Sequence, residues 1–209
     1  MTFLRVLVEG DSDVPVVREV LTRRFRLTEH VQFAIYPHQG KGDRPANMLA
    51  RPDPKRRGLL DQLPAKLRAW AKEAQDFDTR VVVLVDADDE DCKELKSYLL
   101  SLKPAPEKTL FRIAVEELES WFLADVEAIT RAFPSAKIAR LPKGRPDRVI
   151  GAAEALARAL DVEAAKVTGR DKARWAERIA PHLDLDEPQS PSLRAFVTGI
   201  DKLIGKSST

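Results

Sequence analysis

Cysteine is almost missing from this chain of 209 residues: Cys92 stands alone, so no internal disulfide framework can form. With three histidines and no clustered thiols, a zinc site is not expected either. No apolar run approaches the roughly 20 residues that span a bilayer. The opening MTFLRVLVEG lacks the basic region, apolar stretch and small-residue cleavage site of an export signal. A soluble, cytoplasmic protein without membrane association is the expectation. An excess of one charge is lacking too. The net charge of +2 says little about a polyanionic partner, because such a partner needs a clustered positive face.

Clusters do occur. Basic residues gather from Lys55 to Arg57 and from Lys137 to Arg148, and acidic ones at 86–94 and 116–127. This segregation fits an acidic metal site beside basic rims. Hydrophobic residues at 44% and charged ones at 33% lie near the globular norm, so the chain should fold. Its length suits one α/β domain with helical additions.

Residues 3–9, FLRVLVE, read as a buried strand ended by Gly10. A helix follows, with Ser12 or Asp13 as cap, Pro15 in its first turn and Val17, Val20, Leu21 and Phe25 as its apolar stripe. VQFAIYP at 31–37 alternates like a second strand. The stretch from His38 to Gly58 is rich in Gly, Pro and positive charge and reads as an exposed, partly flexible loop. A helix over about 59–74 leads to TRVVVLVD, a continuous β-branched run of the kind found in a central parallel strand covered on both faces. Helical spacing resumes through Cys92, Leu95, Tyr98, Leu99 and Leu102 until Pro104, and LFRIAVEE forms a fourth strand. Cys92 on that stripe is expected to be a small buried hydrophobe. Strands alternating with helices point to a parallel sheet with crossover helices. Beyond Val115 the pattern is helical, over roughly 117–133, 146–160, 172–182 and 192–205. The expected layout is an α/β domain over 1–125 with a helical extension over 126–209 packed on it. Trp121 and Phe122 are expected in the core rather than on a base-stacking platform.

In open parallel sheets ligands bind beyond the carboxyl ends of the strands, where the fold would gather Glu9 and Asp86. Asp88, two residues on, can reach the same place. Converging carboxylates repel one another unless a cation or protons neutralise them. Magnesium, which takes oxygen ligands and is usually held by one or two carboxylates plus substrate phosphate, is the natural occupant, with manganese as its substitute. Such an ion could polarise a phosphoryl oxygen, with Glu9 or a second ion activating water. The plainer reading makes each acid a helix cap, and for Asp13 that reading leads.

VEGDSD at 8–13, followed later by an apolar strand and DAD at 86–88, resembles a Toprim domain, the superfamily of topoisomerases, primases and overcoming-lysogenization-defect nucleases. The resemblance implies a Rossmannoid, mostly parallel four-stranded sheet flanked by helices. It also implies that Glu9 is the acid/base or metal-linked glutamate and that Asp86 and Asp88 are magnesium ligands. More closely, VEGDSD, HQGKG at 38–42, DADDEDC at 86–92 and VEELESWFLAD at 115–125 resemble the bacterial family called domain of unknown function 4276. That family implies a place in anti-phage or mobile-element modules. The Toprim nuclease pattern further implies Asp13, Asp91, Glu117 and Glu119 as extra acids, and Lys41 as a base-bearing side chain that neutralises charge on phosphate. His38, a further candidate site residue, shares with Lys41 a glycine loop that lacks the phosphate-loop spacing, and the pair reads equally as a substrate contact or as solvated loop. The glycine that often follows the second acidic motif of topoisomerase-type domains is absent, and nothing resembles a primase zinc module. A nuclease acting on DNA or RNA is therefore the expected activity. The alternative is a non-catalytic module that docks on an ATPase or other effector, and a haloacid-dehalogenase-type phosphohydrolase ranks behind both.

Overall fold

A computed structural model describes residues 2–205. Four strands, β1 (Phe3–Val8), β2 (Phe33–Pro37), β3 (Thr79–Asp86) and β4 (Thr109–Ala114), form one parallel sheet in the order β2-β1-β3-β4. Helices α1 (Val14–Glu19), α2 (Leu59–Glu73) and α3 (Cys92–Ser101) are the crossovers. The expected strands and crossover helices are all present, but β4 stops at Ala114, three residues before the end of LFRIAVEE, and α1 continues past Glu19 as a π-helix over Val20–Arg24. The chain runs outward from β1 to β2 and then returns past β1 to β3. Strand order therefore reverses between β1 and β3, which opens a crevice beyond their carboxyl ends.

Successive side chains point to opposite faces of a strand, and that alternation divides the core in two. Leu4, Val6, Val8, Val82 and Leu84 face α1 and the helices of the second half. Leu7, Val81, Val83 and Val85 face the leucines of α2 and α3. This two-sided cover explains why β3 reads as an unbroken apolar run. Beyond β4 come α4 (Glu119–Leu123), α5 (Val126–Ala132), α6 (Ala152–Ala159), α7 (Gly169–Ile179) and α8 (Pro191–Ile204). The helix expected over 117–133 breaks at Ala124–Asp125, because Asp125 turns out of helical geometry and its carboxylate caps α5 through the Ala128 N–H at 2.9 Å. Trp121, Phe122, Trp175, Phe196 and Ile200 share one cluster with β1 and β3, so the second half is built onto the sheet through continuous apolar packing. Cys92 opens α3 half-buried and outside both clusters, contrary to the expectation of a core position. No described helix is long and apolar enough to cross a membrane.

The loop expected to be exposed and partly flexible is tied down at both ends. Gly40 N–H donates to the Glu9 carbonyl at 2.8 Å, Gln39 N–H to Arg57 O at 3.0 Å, and Leu60 N–H to Lys41 O at 2.7 Å. Gly42, in the left-handed region at φ +70, lies so close to Gly58 that a Cβ on either would overlap the other's backbone.

A buried polar network holds the second half in place. The Asp147 carboxylate accepts from the Ser190 hydroxyl and from Ser192 N–H, each at 2.8 Å, while Trp121 Nε1 donates to the Ser192 hydroxyl at 2.7 Å. Asp147→Ala leaves two buried donors without acceptors, at about 1–3 kcal/mol each. Urea denaturation should therefore show a loss of about 2–6 kcal/mol. An unchanged midpoint would remove this network from the stabilising contacts.

Candidate active site

The turn VEGDSD begins where β1 ends. In the β1–β3 register Leu7 faces Val83, which brings Glu9 to the level of the last residues of β3. Glu9 Oε1 accepts the backbone N–H of Asp86 at 2.8 Å, joining the two strand ends that the sequence singled out. Asp13 follows one turn later. It occupies the N-cap position of α1 but does not cap the helix: its carboxylate turns back to accept from Gly10 N–H at 3.1 Å and from the Ser12 hydroxyl at 3.2 Å. The favoured reading of Asp13 as a cap is thus corrected. Its side chain is buried beside Glu9 and Asp86.

These three carboxylates line a cavity of about 610 Å³ with Asp11, Arg170 and Lys172. Withdrawal from water disfavours charge, and nearby carboxylates add repulsion. Burial, with the fields of Asp13 and Asp88, pushes Glu9 up to about 8. Asp86 is raised well above the usual carboxylate range by burial and then by Asp13, Glu9 and Glu119. Asp13 is raised by burial, against the hydrogen bonds it accepts.

Glu119 opens α4 and is buried, and burial pushes it up to about 7 although Lys172 pulls the other way. Lys172 Nζ lies 3.1 Å from Glu119 Oε1 and 3.6 Å from Glu117 Oε1. Burial works against its ammonium, but these two carboxylates outweigh it and raise the pKa. The other oxygen of Glu117 accepts from Ala153 N–H at 3.0 Å, fixing the start of α6.

Other expected residues lie elsewhere. Lys41 does not line the cavity. Its ammonium meets the Ala87 carbonyl at 2.9 Å, the Asp88 carboxylate at 3.1 Å and Glu90 at 2.9 Å, so its three donors hold the glycine loop to the β3–α3 turn. The lysine facing the acids is Lys172 instead. Asp88 sits at φ +49 with its carboxylate on Lys41, outside the cavity wall, although its field reaches Glu9. Asp91 is the N-cap of α3, accepting from Lys93 N–H at 2.7 Å and Glu94 N–H at 3.0 Å. His38, just past β2, contacts the Val8 carbonyl through Nδ1 at 2.8 Å, and burial lowers its pKa.

Lys172 and Arg170 escaped the sequence reading, yet a signal was present. Both stand in the first turn of α7, where the helix dipole disfavours cations. For Lys172 the compensation is the pair of acids that face it from another element, Glu117 and Glu119, whereas Arg170 is exposed and has no ion pair among the described residues.

The side chains around the cavity that could ligate a metal all do so through oxygen, the carboxylates and the Ser12 hydroxyl, which suits a hard divalent cation. Among the described residues no group of three His, Cys, Asp or Glu side chains is placed to hold a metal ion. Magnesium does not need such a group, since it keeps waters and takes substrate phosphate oxygens. The residues present therefore fit it.

No curated protein matches this chain. Among solved structures, the C-terminal region of the Xanthomonas campestris pv. campestris OLD protein superimposes with a TM-score of 0.51 at 14% identity, over 99% of this chain and 98% of that one. The corresponding region of the Burkholderia pseudomallei OLD protein gives 0.44 at 17% identity, over 96% and 98%. The first likeness, with the strand order and the switch point, makes this a Toprim-like α/β fold. The model of the family described as domain of unknown function DUF4276 matches residues 8–201, and the chain belongs to that family.

Proposed function

We propose that this protein is a magnesium-dependent phosphodiester-processing enzyme, a nuclease acting on DNA or RNA. One observation carries the reading: Glu9, Asp13 and Asp86 share a cavity with the Lys172 ammonium at the switch point of a parallel sheet. The fold shared with the OLD C-terminal region supports it.

Asp86 and Asp13 would hold the ion, with waters and substrate phosphate oxygens completing its shell, and Asp88 would reach it only by giving up Lys41. When bound, magnesium would polarise a phosphoryl oxygen and stabilise the leaving oxygen, and manganese could replace it. Glu9, whose carboxyl burial pushes up to about 8 in the metal-free protein, would be the residue that exchanges a proton with the attacking water. Lys172 stays charged because Glu119 and Glu117 back it, and it presents a fixed positive charge to the phosphate as charge develops there. Arg170 at the rim steers the substrate anion inward.

Cleavage of labelled DNA and RNA panels with magnesium, manganese or EDTA tests this reading. Activity should require a divalent ion and fall about 100-fold or more in Glu9→Gln, Asp86→Asn and Lys172→Met. Undiminished cleavage by folded Asp86→Asn would sink the mechanism.

The same acids predict an unusual stability profile. Glu9 and Glu119 have folded pKa values near 8 and 7, above the ordinary 4.5 of an unfolded glutamate. The folded state therefore binds more protons than the unfolded one across that window, and stability falls as pH rises from about 4.5 toward 8. Thermal melting of the metal-free protein should show Tm dropping between pH 5.5 and 8.5, values set inside and just past the window. Added magnesium should recover it at the upper end. A Tm that rises with pH in EDTA would contradict this arrangement of acids.

A further inference from the structure

A second cavity, of about 440 Å³, adjoins the first. Asp11 lines both, and Gly40 on the wall of one is followed back along the chain by Gln39 and His38 on the wall of the other. The outer wall is Arg57 from the loop together with Gln62 and Lys66 from α2. Gln62 and Lys66 are four apart, so both project from one helix face.

Lys66 is half-buried, and burial lowers its pKa. Its ammonium stands 5.6 Å from the Tyr36 ring centroid and has no ion pair among the described residues. Arg57 likewise has no carboxylate partner there, and its Nε reaches only the Pro54 carbonyl at 3.4 Å. The backbone of this segment is held from both sides: Gln62 donates to Arg56 O at 2.6 Å and Gln39 N–H to Arg57 O at 3.0 Å. His38 is fixed through Nδ1, while its Nε2 is buried without any partner. Three nearby cations are paired: Lys41 and Arg44 with Glu90, and Arg56 with Asp61. Withdrawing a cation from water without a counter-charge costs free energy, which singles out half-buried Lys66, while Arg57 adds an exposed, unpaired charge to the same cavity wall.

We infer that this cavity is a phosphate subsite, in which Lys66 and Arg57 grip the backbone of the nucleic acid strand next to the group held in the carboxylate cavity. The inference rests on the proposed function for its ligand. Arg57 offers a planar fork and Lys66 a compact charge, the pair of donors used on phosphate oxygens. The exposed Asp11 carboxylate stands between the two cavities and keeps the phosphates apart, one on each side of it. The cavity holds a phosphate together with its sugar rather than a bare ion. Backbone contacts of this kind add affinity without reading sequence.

Fluorescence anisotropy of a labelled oligothymidylate and of a mixed-sequence duplex, titrated with metal-free protein over a potassium chloride series, provides the test. The variants are Lys66→Met, Arg57→Met and, as a control, Lys72→Met, which removes the same charge from an exposed position on α2 outside the cavity. Each cavity variant should weaken binding several-fold at low salt and flatten the salt slope by about 0.7–0.9. Lys72→Met should keep the wild-type slope, and Lys66→Met should melt no lower than wild type. Slopes that match between Lys66→Met and Lys72→Met, or wild-type protein that binds neither probe, would overturn the subsite. Cleavage assays keep the two readings apart. If wild type cleaves nothing while Lys66→Met still loses affinity, the subsite stands and the nuclease reading falls. If cleavage depends on Asp86 while binding ignores Lys66 and Arg57, the reverse holds.

Discussion

Everything at the rim of this sheet follows from one electrostatic constraint. Parallel pairing of β1 with β3 forces the carboxylates of Glu9, Asp13 and Asp86 into one poorly hydrated space, where they repel. Such a cluster persists only with protons, cations or both close by. The raised pKa values of Glu9 and Asp86 are the proton answer, and Lys172 is the cation answer built into the chain. A divalent ion would replace the protons, which ties the proposed chemistry to the unligated protein's stability.

Lys172 can play this part only because the second half of the chain is packed onto the sheet. Trp121, Trp175 and Phe196 belong to the same apolar cluster as Val6 and Val82, and the Asp147–Ser190–Ser192 network locks the start of α8 beneath α4. Glu119 and Glu117 fix the ammonium from below. The helical tail is therefore a wall of the cavity. On the opposite side Lys41 and Arg44 strap the glycine loop to Asp88 and Glu90. That strap presents Arg57 and His38 beside α2.

The Toprim-like sheet was readable because its signals are local. Four apolar runs of strand length, helical spacing between them and acids at their ends suffice to place Glu9 and Asp86 together. Asp91 and Lys41 show where local reading fails. Asp91 belongs to a DADDEDC run in which any acid looks like a ligand, yet the start of α3 claims it as a cap. Lys41 looks suited to phosphate because it sits between glycines, but the neighbouring turn supplies three acceptors for its ammonium.

By itself the sequence determined the strand count, the parallel crossover pattern and the pair of acids at the strand ends, since side-chain periodicity and strand-end chemistry are written in consecutive residues. Tertiary structure alone decided that Asp13 turns inward, that Asp88 leans toward Lys41 and that Lys172 closes the cavity. Those outcomes depend on which charges distant in the chain meet in a space of low dielectric; a cation in the first turn of a helix hints at an acid partner, but no local pattern names it.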